Sequence, residues 1–297
     1  MRQHAALVVL LAAAAPGCGS EKDPFAAGND GGTTAPDASV PAIDAAPVDP
    51  AAPNNWPERC EPKPARVVVL GDSIAACSNV GGKDSADCAS KKLHAYVESI
   101  APGATYQNVA VGGAVTADVP NSQLANVSTG PGHVLVVLTV GGNDLSPYIF
   151  QSDAATMQGY TMKKPTLLEA WGRIYSFFAD TSKFPDGATI LMSTQYNPFD
   201  DCTASPYNLS ALKIQLLHEF NGELAMQART HPHVFIADPF TVFLGHGHHY
   251  NVMSCPHYSA GSVYWMGDLI HPNVTGHGEL AKVWTHAADE LYKDCAP

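Results

Sequence analysis

Arg66-Val-Val-Val-Leu70, followed by Gly71-Asp72-Ser73-Ile74, is the stretch on which the reading of this chain turns. A short β-branched run ended by glycine reads as a strand buried on both faces. It sets Ser73 just past the strand, at the expected start of a helix. Outward from it the alternation repeats. Leu93, Tyr96, Val97 and Ile100 recur at helical spacing. Residues 106–111 read as a second strand closed by Gly112-Gly113, and residues 134–140 as a third closed by Gly141-Gly142. Thr166 and Glu169 form a capping-box pattern for a helix carrying Leu167, Ala170, Trp171, Ile174 and Phe178 on one face. Residues 189–193 and 234–237 read as further strands, separated by an amphipathic helix with Leu209, Leu212, Leu216, Phe220 and Leu224. Leu280, Val283, Trp284, Ala287 and Leu291 stripe a last helix. Strands alternating with helices predict βαβ units, hence an α/β fold with a central parallel sheet covered on both faces. Ligands of such sheets bind beyond the carboxyl ends of the strands.

Composition narrows the function classes. Apolar residues make up 45% of the 297, which excludes a wholly disordered chain. With 16 Lys and Arg against 28 Asp and Glu, the net charge of −12 argues against nucleic acid as a partner, since phosphate binding needs clustered cations. The most membrane-like stretch lies at the N-terminus and is too short to span. Residues 1–17 read as a secretory signal: Arg2, an apolar run over residues 5–15, then Ala15-Pro16-Gly17-Cys18. That junction resembles a bacterial lipobox, which implies a lipidated Cys18 and an envelope lipoprotein on the outer membrane or cell surface. The alternative is an ordinary cleaved signal and a secreted protein. Residues 18–59 are rich in Ala, Pro, Asp and Gly, with Phe25 as the one aromatic before residue 56. They read as a disordered tether, leaving residues 60–297 as one folded domain. Of the 7 Cys, lipidation of Cys18 leaves Cys60, Cys77, Cys88, Cys202, Cys255 and Cys295. An exported chain with that set suggests three disulfides of open connectivity.

The candidate chemistry lies in four turns. Ser73 offers a hydroxyl and a backbone N–H at the sheet edge. The turn 108–113 ends in Gly113, whose N–H is unobstructed by a side chain. Asn143, in Gly141-Gly142-Asn143-Asp144, offers a side-chain amide. Near the C-terminus, Asp268-Leu-Ile-His271 puts a carboxylate within reach of an imidazole, so that Asp268 sets the tautomer of His271 and turns Nε2 toward a nucleophile.

Taken together, the order and contexts of Ser73, Gly113, Asn143, Asp268 and His271 resemble the SGNH-hydrolase family, the GDSL esterases and lipases. The resemblance covers about residues 64–292. Residue 74 is Ile where the family name has a terminal Leu. What it implies is a flavodoxin-like three-layer αβα sandwich and hydrolysis of carboxylic esters through an acyl-enzyme, without metal or organic cofactor. Ser73, His271 and Asp268 are then the triad, and Ser73, Gly113 and Asn143 the oxyanion hole. The disulfide-bearing secreted members further suggest pairing Cys77 with Cys88, Cys202 with Cys255, and Cys60 with Cys295. The substrate class implied is a small or medium acyl ester, and the chain is expected to be a monomer. Two alternatives stand beside this reading: a carbohydrate O-acetyl esterase acting on xylan or cell-wall glycan, and a non-catalytic ligand-binding surface lipoprotein.

Other signals are set against blander readings. Gly245-His-Gly-His-His249, with Cys255 and His257 nearby, has the look of a zinc tract, but no carboxylate is spaced with it, and a polar loop at the rim of the active site is the preferred reading. Tyr148, Ile149 and Phe150 after Asn143, and Trp265 and Met266 before Asp268, are candidates for an acyl pocket as well as for core. His94, His218 and His286 read as surface residues of helices.

Overall fold

The computed structural model describes residues 61–205 and 207–292. The signal segment, the tether, Cys18, Cys60 and Cys295 lie outside the described residues. Five strands form one sheet: β1 (Arg66–Gly71), β2 (Thr105–Asn108), β3 (Val134–Thr139), β4 (Ala188–Ser193) and β5 (Val234–Ala237). Their order is β2-β1-β3-β4-β5 and every pairing is parallel. The helices are α1 (Ala89–Ile100), α2 (Gly142–Leu145), α3 (Asp153–Phe178), α4 (Ala211–Thr230), α5 (Pro239–Phe243) and α6 (Val274–Tyr292).

The period of two along each strand divides the core. Val67, Val69, Leu135, Val137 and Leu191 face α1, α5 and α6 through Leu93, Val97, Phe243, Leu280 and Trp284. Val68, Leu70, Val136, Leu138 and Ile190 face α3 and α4 through Trp171, Ile174, Phe178, Leu216 and Phe220. Both faces are therefore covered, which is why these strands read as continuous apolar runs. The result is the flavodoxin-like three-layer arrangement. Its strand order reverses between β1 and β3, and a crevice opens there beyond their carboxyl ends.

The structure departs from the sequence reading in several places, among them Leu209, which precedes α4 and its N-cap Ser210. No helix starts at Ser73: residues 73–81 are successive turns, and α1 begins only at Ala89. Cys77 interrupts the run with φ 53, in the left-handed region that ends a right-handed helix. The second strand stops at Asn108, whose side chain bonds locally, with Oδ1 accepting from the Ala110 N–H at 3.0 Å and Nδ2 donating to the Ala75 carbonyl at 2.8 Å, while the Val109 and Val111 N–H groups still reach the Val69 and Gly71 carbonyls. Thr166 is not a cap. α3 runs through it from the N-cap Ser152, whose Oγ accepts from Ala155 N–H, and Pro165 lies inside the helix. Packing of Tyr160, Leu167, Trp171 and Ile174 carries the helix across the proline. Of the histidines read as surface residues, His286 is exposed, whereas His94 meets the Ala104 carbonyl at 2.8 Å and His218 pairs with Asp201 at 2.6 Å.

The continuous α3 has a testable consequence. Proline inside a helix lacks the N–H for the carbonyl one turn back. Pro165 is exposed, so Pro165→Ala should raise the melting temperature, with a gain of about 1–2 kcal/mol after the looser unfolded chain is counted. If the helix instead began at Thr166, the substitution would be neutral or destabilising in the same thermal melt.

Candidate active site

The site begins where β1 and β3 end. Their last paired residues are Gly71 and Thr139. Gly71 has φ +135, and a Cβ there would lie 1.8 Å from the Thr139 carbonyl oxygen, so only glycine fits. The chain then turns sharply. Asp72 N–H donates to the Thr139 carbonyl at 3.2 Å, Asp72 Oδ1 accepts from Ile74 N–H at 2.9 Å, and Ser78 N–H returns to the Ser73 carbonyl at 3.0 Å. A disulfide from Cys77 to Cys88 closes the segment behind Ser73.

A residue outside every motif holds this turn. Gln123, buried at the end of the π-helical turn Val119–Gln123, accepts from Gly71 N–H at 2.9 Å and donates to the Gly71 carbonyl at 2.7 Å. Its amide thus imitates a neighbouring strand at the last residue before the turn. A glutamine fifty residues away carries no local signal of such a role.

β3 leads into the second wall. Gly141 has φ +133, and a Cβ there would meet the Phe220 ring at 2.2 Å. Immediately beyond it α2 carries Asn143 and Asp144. Asn143 Nδ2 donates to the Ala114 carbonyl at 3.0 Å, which brings the side chain against the loop that carries Gly113. Asp144, next to Asn143 in the same turn, is buried and locks that loop. Its Oδ2 accepts from Thr116 N–H at 2.7 Å and Thr116 Oγ at 2.8 Å, and its Oδ1 lies 3.1 Å from Lys163 Nζ. Gly113 has φ +80, the conformation that favours glycine. Among the described residues neither Ser73 N–H nor Gly113 N–H has an acceptor.

His271 and Asp268 arrive in the turn before α6. His271 Nε2 lies 2.8 Å from Ser73 Oγ, and His271 Nδ1 lies 2.8 Å from Asp268 Oδ2. A carboxylate at Nδ1 demands a proton there, so Nε2 is the acceptor for the Ser73 hydroxyl. Asp268 Oδ1 also accepts from the N–H groups of Ile270 and His271 at 2.9 and 2.8 Å. Partial burial pushes the Asp268 carboxyl up, but these N–H groups and the imidazole outweigh it and hold it below the ordinary carboxylate range.

The histidine tract supports this turn from outside. His248 Nε2 meets the Leu269 carbonyl at 3.0 Å, and the Tyr196 hydroxyl donates to the Ile270 carbonyl. His246 stacks on Trp265 with ring centroids 3.5 Å apart. The carboxylate missing from the sequence pattern is Asp200: buried, it accepts backbone N–H bonds from Gly245, Gly247 and His249 at 3.0, 2.7 and 2.8 Å. It organises the tract through the backbone, which leaves the rings for other contacts. His249, Cys202 and Cys255 have ligand spacing, yet the two sulfurs are joined to each other in a disulfide.

A cavity of about 910 Å³, counting its open mouth, extends from Ser73 and Asn143 between residues 145–149, the loop 195–199 and α4. Tyr148 and Ile149 line it as the sequence suggested. Phe150 does not, being 76% exposed, and Trp265 and Met266 are core residues. Hydrophobic residues adjoining a site in sequence alternate between core, cavity and solvent with the turn that carries them, and the turn geometry is not legible from composition.

Comparison with known proteins agrees with this architecture. The model of the GDSL-like lipase/acylhydrolase family matches residues 67–284. Lipase 1 of Streptomyces coelicolor is 29% identical over 231 residues, 70% of this chain and 81% of that protein. Phospholipase A1 from Streptomyces albidoflavus NA297 has the same fold, with a TM-score of 0.50 at 23% identity over 75% of this chain and 99% of that one. An extracellular lipase from Streptomyces rimosus does so with a TM-score of 0.51 at 22% identity, over 75% and 99%.

Asp72 makes the site pH-sensitive in stability. Complete burial pushes its carboxyl up to about 7; the Ile74 N–H opposes this and the nearby Asp144 adds to it. A carboxyl whose folded value exceeds its unfolded one gives stability that is full below pH 4 and lost as pH rises through 7. Asp72→Asn keeps the acceptor for Ile74 N–H and cannot ionise. Its melting temperature relative to the parent should therefore climb between about pH 4 and pH 8. A difference that stays constant across that range would show that Asp72 does not titrate there.

Proposed function

Because the chain belongs to the GDSL-like lipase/acylhydrolase family, we propose that Ser73, His271 and Asp268 are the catalytic groups of its ester hydrolysis. The observation that carries this is the continuous hydrogen-bonded line from Ser73 Oγ to His271 Nε2 and from Nδ1 to Asp268, at 2.8 Å for each link. His271 takes the Ser73 proton as the hydroxyl oxygen attacks the ester carbonyl carbon. The carbonyl oxygen becomes an oxyanion facing the N–H groups of Ser73 and Gly113 and the Asn143 amide. One Asn143 N–H is held by the Ala114 carbonyl, which orients the other. Collapse expels the alcohol, protonated by His271, and leaves an acyl-enzyme. Water, deprotonated by His271, then attacks the acyl carbon and releases the acid and Ser73.

The substrate class we propose is an ester of a small or medium apolar acyl group. The cavity beside Asn143 is walled by Leu145, Tyr148, Ile149, Phe199 and Leu216, and each buried methylene is worth about 0.8 kcal/mol. We further propose that the enzyme is exported and anchored through a lipid on Cys18, supported by the apolar run and the Gly17-Cys18 junction. Mass spectrometry of the natively expressed protein should find an acylated Cys18 as the first residue; a mature form beginning elsewhere refutes the anchor.

Asn143→Ala separates the oxyanion assignment from a role in the turn. The charge it meets develops only in the transition state, so kcat should fall about 10²–10³-fold while KM changes little. A variant that merely melts earlier, with near-normal kcat in its folded fraction, would remove Asn143 from the mechanism. In the parent enzyme kcat/KM should be higher for p-nitrophenyl butyrate to octanoate than for acetate. A strict acetate preference would instead fit the O-acetyl esterase reading.

A further inference from the structure

The wall of the cavity formed by residues 146–149 is tied in two directions. Toward α3, the Tyr148 carbonyl accepts from Thr156 Oγ at 3.3 Å, and the Tyr148 ring lies on Gly159. Alanine at that position would put its Cβ 2.5 Å from Tyr148 Cε1 and 3.0 Å from Cζ and the hydroxyl. The ring therefore occupies space that only a glycine of α3 leaves open. Toward α4, Lys213 Nζ donates to the Ile149 carbonyl at 2.9 Å, bridging two walls of the same cavity. Lys213, Leu216 and Leu217 face the cavity from α4, and Lys213 is the one cation among the lining residues.

We propose that this turn is the acyl-chain selector of the site, with Gly159 and Lys213 as its specificity-determining residues. The proposal rests on the ester-hydrolase reading above and adds which residues limit the chain. Gly159 sets how far the Tyr148 ring retreats from the cavity. Lys213 sets how closely the Ile149 edge approaches α4. The two act in opposite senses. A methyl on residue 159 drives the ring off α3 into the space it lines and shortens the chain accepted, while alanine at a helical position itself favours the helix. Methionine at residue 213 keeps the apolar stem, removes the tie and the charge, and lets the wall part from α4.

The test is a p-nitrophenyl ester series from acetate to dodecanoate on the full-length protein, on Gly159→Ala and on Lys213→Met. Each variant is read as a ratio between its own esters, so differences in folded fraction cancel. Loss of room for one methylene costs about fourfold. Gly159→Ala should lower the octanoate-to-butyrate ratio of kcat/KM roughly tenfold. Lys213→Met should raise the dodecanoate-to-butyrate ratio by a similar factor. Calorimetric binding of butyrate, octanoate and dodecanoate themselves reads the same cavity without catalysis. Chain-length profiles that match the parent in both variants, in hydrolysis and in binding, overturn the selector. If no ester is hydrolysed by the parent but carboxylate binding shifts as described, the selector stands and the catalytic assignment falls.

Discussion

The parallel pairing of β1 with β3 is the constraint on which the site depends. Six register pairs, from Arg66 with Val134 to Gly71 with Thr139, bring the ends of both strands to one level. Because the sheet order reverses there, the connections leave to opposite faces and open a crevice between them. The turn bearing Ser73 and the helix bearing Asn143 are the two lips of that crevice. Gly71 and Gly141 make the sharp exits possible, each in a conformation and a space that exclude a Cβ.

Buried carboxylates hold the loops around the crevice. Asp144 binds the Gly113 loop through Thr116 and pairs with Lys163 of α3, and Asp200 gathers three backbone N–H groups of the histidine tract. Burial pushes the Asp200 carboxyl up, and those N–H groups work against that cost. A charge taken out of water is tolerated only with such partners, and it then fixes one arrangement of the loop. The Cys202–Cys255 disulfide clips the same region, and His248 and Tyr196 pass that order to Leu269 and Ile270, next to His271. The His271 turn is thereby placed by residues far from it in sequence.

Much of this was legible beforehand. Buried strands announce themselves as apolar β-branched runs, and all five lie where the patterns put them, with β2 ending three residues early at Asn108. Three of the four turns are marked by strand-end glycines with polar neighbours after β1, β2 and β3, and the fourth by the spacing of Asp268 and His271. The pairs Cys77–Cys88 and Cys202–Cys255 also stand as the family resemblance implied. Gln123, Asp144, Asp200 and Gly159 escaped notice for one reason: each acts on a partner across the fold, and nothing in its own neighbourhood marks it. Thr166 misled because a capping-box pattern is local, whereas the start of α3 is decided by Ser152 and by the packing that carries the helix through Pro165.

Sequence alone determined the class of fold and the inventory of candidate groups, because strand and helix periods and turn chemistry are local properties of the chain. Only the tertiary structure decided that Ser73 and His271, 198 residues apart, share a hydrogen bond of 2.8 Å. It also decided that Tyr148 and Ile149 line a cavity while their neighbour Phe150 faces solvent. Those outcomes depend on where parallel strands end relative to one another and on how a turn is pinned by distant side chains. Both are set by packing over the whole sheet, and no window of sequence contains it.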